Sequence, residues 1–328
     1  MRGRTVVILH AGGLGDLLLA VQAIRSLRER FPRHQLLLCG QEQAAELLGE
    51  CDLVDQWLPV QTTACTALFA GAAPEDPVLS DCLSRCGLAV AWISDDAGAL
   101  AASLRRCGAS AAIVQSPFAS TLTSVHQGDR FLEILGDRAA HASPAALALP
   151  STLRAAANAY LAESRISRKR PLALVHPGSG SRHKCVKPAI LLPVLEGLEG
   201  QGLEPVLLEG PADHEMVERL LKQRAAPPVL GGLSVRLLAG LLSHADLFLG
   251  HDSGVTHLAA LVGTPTVALF GPTDPARWAP RGPTVTVIQE KPCSCATWDA
   301  VRNCAEKPCL ELSSQAILDA CRTTRAVA

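Results

Sequence analysis

Short apolar runs alternate with segments of helical periodicity along the whole chain, and this restricts the fold more than any other feature. In the first half the runs Thr5–His10, Gln35–Cys39, Leu88–Ile93 and Ala111–Val114 read as strands, with helical patterns at Asp16–Arg30 and Ala97–Arg106 between them. In the second half the strand-like runs are Pro171–His176, Glu204–Leu208, Asp246–Leu249, Thr266–Phe270 and Thr284–Ile288. Helical patterns there cover Pro188–Gly200, Ala212–Gln223, Val235–Ser243 and Val255–Val262. Apolar strands each followed by a helix need both sheet faces covered, which gives α/β domains with parallel sheets. With 328 residues the chain is long enough for two of them. The helical, alanine-rich stretch Ser151–Arg170, ending in Arg165-Ile-Ser-Arg-Lys-Arg170, marks the join. The expected domains are therefore 1–165 and 166–328, with a C-terminal helix packing back on the first. Ligands of two such Rossmann-like domains sit at the C-terminal strand ends, here expected to face an interdomain cleft.

Composition removes several function classes. Hydrophobic residues at 48% against 19% charged exclude a disordered chain. Aromatics at 3% and a net charge of −1 leave neither stacking platforms nor a basic face for nucleic acid. No apolar run approaches the ~18–20 residues of a membrane span, and the N-terminus runs directly into a strand rather than a signal peptide. A cytoplasmic protein is expected. Its twelve cysteines are many for that compartment, and most, such as Cys39, Cys107 and Cys185, read as reduced thiols in unrelated elements. Cys293, Cys295, Cys304 and Cys309 form a cluster whose thiolates suit zinc or iron. Its CxC spacing departs from paired CxxC knuckles, so a local structural role is preferred and metal is the lesser reading.

Chemistry concentrates where strands meet helices. His251-Asp-Ser-Gly-Val-Thr-His-Leu-Ala-Ala260 follows a buried strand and opens a helix. Free N–H groups and the positive end of the helix dipole suit a phosphate there. Asp252 repels phosphate but accepts hydrogen bonds from hydroxyls, so the two features together point to a nucleotide-sugar. The simpler use of Asp252 or Ser253 is to cap the helix. The loop Val175-His-Pro-Gly-Ser-Gly-Ser-Arg-His-Lys184 adds hydroxyls, N–H groups and the Lys184 charge for a diphosphate, without being a Walker sequence. In Leu208-Glu-Gly-Pro-Ala-Asp-His-Glu215, Glu215 or Glu209 suits ribose hydroxyls, and a first-turn helix acid is the equal alternative. The first strand ends in His10-Ala-Gly-Gly-Leu-Gly-Asp16, where Gly12, Gly13 and Gly15 permit close backbone approach. The dinucleotide fingerprint is absent, because Leu18 stands at its last position. Asp16 fits either the helix dipole or a general base at the cleft edge.

Taken together these segments resemble glycosyltransferase family 9, the family of ADP-heptose:lipopolysaccharide heptosyltransferases. The likeness runs through nearly the whole chain and is closest in His176–Ser181, His251–Ala260 and Phe270-Gly-Pro-Thr-Asp-Pro275. It implies a GT-B fold and inverting transfer of a heptose or related sugar from a nucleotide-sugar, ADP-heptose in the first instance. The acceptor would be a hydroxyl of a lipopolysaccharide core or related glycan, and no metal or other cofactor would be required. By position it implies Asp16 as catalytic base, and Lys184 with Ser179, Ser181, Ser253 and Gly254 on the donor diphosphate. Asp252 and His257 would meet the donor sugar and Glu215 the nucleoside, with Gly12, Gly13 and Gly15 in the acceptor loop. The chain departs from the family pattern at Gln22, where proline is usual, at Val186-Lys187, where Trp-Pro is usual, and at His251, where asparagine is common.

Arg25, Arg28, Arg30 and Arg33 are the candidates for peripheral contact with a phosphorylated lipid core at the inner face of the cytoplasmic membrane, although a solvated helix face accounts for most of them. Two rival functions stand on the same residues. A nucleotide-sugar 2-epimerase would need no acceptor, and a non-catalytic binding module would bind donor without transfer.

Overall fold

The computed structural model describes residues 3–118, 125–137, 145–164, 166, 169–222 and 227–327. Strands β1 (Thr5–His10), β2 (Gln35–Gly40), β3 (Gln56–Pro59), β4 (Cys86–Trp92) and β5 (Ala112–Val114) form one sheet, in the order β3-β2-β1-β4-β5. A second sheet holds β6 (Leu172–His176), β7 (Glu204–Glu209), β8 (Val229–Gly231), β9 (Leu247–His251), β10 (Thr266–Leu269) and β11 (Val285–Ile288). Its order is β11-β10-β9-β6-β7-β8. Every neighbouring pair is parallel.

The central strands β1, β6 and β9 are buried along their whole length, as their unbroken apolar character requires. Strands β3 and β8 have no counterpart among the sequence expectations. Both are short edge strands, and β3 ends in Pro59, which an edge tolerates because it needs no ladder N–H. In each sheet the winding reverses once, between β1 and β4 in the first and between β6 and β9 in the second. Such reversals leave a crevice at the strand C-termini, where α/β sheets bind ligands.

The chain divides into two compact units, Met1–Ala142 and Ser143–Ala328. The join thus falls one helix earlier than composition suggests, and Arg165, Ser167 and Arg168 of the expected linker lie outside the described residues. The reason is a close helix pair. Gly240 on the helix Val235–Leu242 lets the helix Ser151–Glu163 approach so tightly that a Cβ there would lie 2.5 Å from the Leu153 carbonyl oxygen. The C-terminal helix Ser314–Ala326, expected on the first domain, instead buries Ile317 and Cys321 in the second unit's core, beside Leu198, Val267 and Leu269. The expected helix Asp16–Arg30 is two, Leu14–Leu19 and Val21–Arg30. Among the described residues no helix is long and apolar enough to cross a membrane.

Candidate functional site

The reversal between β6 and β9 gathers most of the singled-out residues of the second unit. β6 and β9 pair so that His176 lies beside Gly250. The Gly/Ser loop leaving β6 and the Asp252-Ser253 step leaving β9 are therefore neighbours. Ser179 Oγ donates to the Asp252 backbone oxygen at 2.7 Å, tying the two loops together. Ser181 caps the 3-10 turn Arg182–Lys184, accepting from the His183 N–H. That turn aims Lys184 back at the sheet, where its Nζ meets Asp252 Oδ2 at 2.7 Å. Ser253 caps the helix Gly254–Val262 by accepting from the Thr256 N–H. His257, one turn on, holds Nε2 3.9 Å from Asp252 Oδ1.

Electrostatics sharpen this arrangement. Burial by itself pushes the Asp252 carboxyl up, but His257 and the Lys184 ammonium outweigh it and hold the group well below the usual carboxylate range. An ionised Asp252 is thus held under a helix N-terminus by a lysine that is itself only partly covered. Lys184 also lies 5.9 Å from the ring centroid of Trp298, within cation–π reach.

A second layer supports the first. His176 Nε2 lies 2.7 Å from Asp213 Oδ2, which also accepts from the Gly210 N–H at 2.9 Å. On its other side His176 Nδ1 lies 3.3 Å from Ser253 Oγ. Gly178 is required here, because a Cβ would fall 1.6 Å from Asp213 Oδ1. His251 is wholly buried, and its Nε2 accepts from the Val186 N–H at 3.0 Å. Two of the departures from the family pattern, His251 and Val186, therefore touch one another. Burial above all pushes His251 down to about 4.

In the first unit the loop after β1 borders the other reversal. Asp16 lies in the first turn of the helix Leu14–Leu19, and its Oδ2 accepts from the Gly13 N–H at 3.1 Å. This carboxylate therefore sits at the positive end of its helix, bonded to a backbone N–H there. Gly12 has no room for a side chain: a Cβ would sit 2.7 Å from both Asp16 Cβ and His10 Cε1. His10 is fully buried against Trp92 and Phe131, and burial pushes it down to about 4.

His10, His176, His251, Asp213 and Trp298 have no role evident from the sequence alone. A signal was present for the histidines: β1, β6 and β9, three of the four strands at the two reversals, each end in one. Other candidates lie differently. Glu215 is exposed and pairs along its own helix with Arg219, while Glu209 pairs with His214 at 2.8 Å. Arg28 is engaged by Asp55 and Arg30 by Asp137, each within its own unit. Cys293, Cys295, Cys304 and Cys309 line one cavity of about 390 Å³, together with Ser294, Ala305, Glu306 and Pro308. All four thiols are free. Among the described residues no group of three or more His, Cys, Asp or Glu is arranged to hold a metal ion.

Comparison with known proteins adds three findings. Residues 130–309 match the profile of "Glycosyltransferase family 9 (heptosyltransferase)". Lipopolysaccharide heptosyltransferase 3 of Escherichia coli is 35% identical over 112 residues, a match that spans about a third, 33%, of this chain and of that protein. The fold is shared along almost the full length with a glycosyl transferase family 9 protein from Veillonella parvula (TM-score 0.80, 17% identity, 99% of this chain and 98% of that one). It is shared likewise with Escherichia coli ADP-heptose lps heptosyltransferase II (TM-score 0.75, 17% identity, 98% and 99%).

Proposed function

The chain belongs to glycosyltransferase family 9, and from that premise we propose that it moves a heptose or related sugar from a nucleotide-sugar, with ADP-heptose the first candidate, to a hydroxyl of a lipopolysaccharide core or similar glycan. Its two Rossmann-like units are those of the GT-B fold. One observation carries the reading: Lys184 and Asp252 meet at 2.7 Å beneath the N-terminus of the helix Gly254–Val262, where β6 and β9 part. A cation and free N–H groups suit a diphosphate, and a fixed carboxylate suits hydroxyls. A nucleotide-sugar presents both groups to one site.

In the proposed reaction the acceptor oxygen attacks the anomeric carbon as the bond from that carbon to the diphosphate breaks. The acceptor proton passes to Asp16, the nucleoside diphosphate leaves with the bonding pair, and the anomeric configuration inverts. Lys184, the Ser253 and Gly254 N–H groups and the Ser181 hydroxyl would offset charge growing on the leaving group. Asp252 and His257 would hold sugar hydroxyls, and Glu215 the nucleoside. Ser179 is better placed to fix the Asp252 backbone than to reach a phosphate, since its hydroxyl is already committed there. We place the reaction at or near the inner face of the cytoplasmic membrane.

The decisive experiment incubates the purified protein with ADP-heptose and a heptose-deficient lipopolysaccharide core and weighs the product by mass spectrometry. Addition of one heptose is expected. Asp16→Asn keeps an oxygen for the Gly13 N–H but has no basicity, so turnover should fall by about 10²–10⁴ with the fold retained. An epimerised donor without transfer, or full turnover by Asp16→Asn, would count against the proposal.

A further inference from the structure

The pair formed by His176 and Asp213 has a consequence for how the donor is bound. It rests on reading the β6/β9 reversal as a nucleoside-diphosphate site, and begins from the hydrogens available there. Asp213 is 3% exposed, and its carboxyl is ionised: burial opposes this, but His176 and the Gly210 N–H hold it below the usual range. An ionised carboxylate only accepts, so the hydrogen in its 2.7 Å contact must be carried by His176 Nε2. In a neutral ring that leaves Nδ1 an acceptor. Its partner at 3.3 Å, Ser253 Oγ, must then supply its own hydrogen.

That hydrogen is contested. Thr256 Oγ1 donates to the His251 carbonyl oxygen, so towards Ser253 Oγ, 3.1 Å away, it can only accept. Ser253 thus has one hydrogen and two resident acceptors before any ligand arrives. A phosphate oxygen would be a third. A proton added at Nδ1 turns one of those acceptors into a donor to Ser253 Oγ and releases the serine hydrogen outward.

We propose that binding of a nucleoside diphosphate places a second proton on His176, and that Asp213 holds the resulting imidazolium so that Ser253 can donate to the phosphate. His176 and Asp213 are positioning residues in this scheme, acting through Ser253. The proton comes from solvent, no bond other than N–H is made, and the anionic ligand and Asp213 together offset the added charge.

The groups facing His176 leave it as the one that changes charge. Asp213, from the turn after β7, is already ionised, and so is Asp252 beyond β9. His251, ending β9, is pushed down to about 4 by burial and then by His176 itself, so it stays neutral. Cys185, after the 3-10 turn, is pushed up to about 12 by burial, and the neighbouring Lys184 is an ammonium paired with Asp252.

Calorimetric titration of the full chain with ADP, repeated near neutral pH in buffers of different ionisation enthalpy, counts the protons exchanged. The intact protein should take up more protons than His176→Gln by a margin of up to about one, because titration of ADP itself cancels in the difference. His176→Gln should also bind ADP about tenfold more weakly, as expected for one charge-assisted hydrogen bond. Asp213→Asn keeps the size of the side chain but cannot hold an imidazolium, and should lose the same uptake while melting at a similar temperature. Equal proton counts in the intact protein and both variants, with ADP still bound, overturn this inference and leave the nucleotide-sugar reading standing. Failure of ADP to bind the intact protein removes both.

Discussion

Single side chains account for most of the chemistry, and several serve two purposes. Asp16 caps its helix while standing as the proposed base, and Lys184 neutralises Asp252 while standing as the proposed diphosphate ligand. Each residue is legible in the chain as a polar group at a strand-to-helix step, but its partner is not. Nothing in the order of residues says that Lys184 reaches Asp252, or that Asp213 reaches His176. The buried histidines carry a stability signature. His10 and His251 have folded values of about 4 against an ordinary 6.5, so the unfolded chain binds their protons first as pH falls. Their contribution is complete above about 6.5 and is lost as pH drops from there to about 4. Urea unfolding across that window should show stability falling by on the order of 1 kcal/mol per pH unit for each such histidine. His251→Asn keeps an acceptor for the Val186 N–H and should flatten the slope by its share; an unchanged slope would mean that His251 is not buried neutral.

Helices and strands are positioned by where glycine allows close approach. The helix Val235–Leu242 can rest on Ser151–Glu163 only because Gly240 presents no side chain to Leu153 and Ala157. A larger residue must push the two apart, so Gly240→Val should cost about 1–3 kcal/mol, read as a lower urea midpoint. If the midpoint stays put, the helix contact is looser than described. The helix pattern in the sequence is right for Ser151–Glu163 and for Val235–Leu242, but periodicity says which face is apolar and not which neighbour covers it. The helix Ala99–Arg106 starts later than its apolar pattern because Gly98 turns with a φ of 68° and the Asp95 carboxylate accepts from the Leu100 and Ala101 N–H groups. Strands β3 and β8 were illegible for a related reason. A short edge strand is chosen by the sheet it joins, and its own residues carry little pattern.

For the molecule as a whole, the division into Met1–Ala142 and Ser143–Ala328 is itself open to test. A fragment spanning 143–328 retains the cover that Ser151–Glu163 gives to Gly240, whereas one spanning 166–328 exposes it. The longer fragment should melt cooperatively and the shorter at a clearly lower temperature, followed by circular dichroism; equal melting would place the boundary at the linker instead. What the sequence settled alone was the α/β class, the pairing of apolar strands with helices, the family likeness and the loops that carry polar groups. Those follow from local pattern, since a buried strand and a helix N-terminus are each specified by a few consecutive residues. Tertiary structure alone decided that the helix before β6 belongs with the second unit, that Lys184 and Asp252 form a pair, and that His176 joins Asp213 to Ser253. These depend on which strands lie side by side. Strand order is set by long-range burial, and no short stretch of chain encodes it.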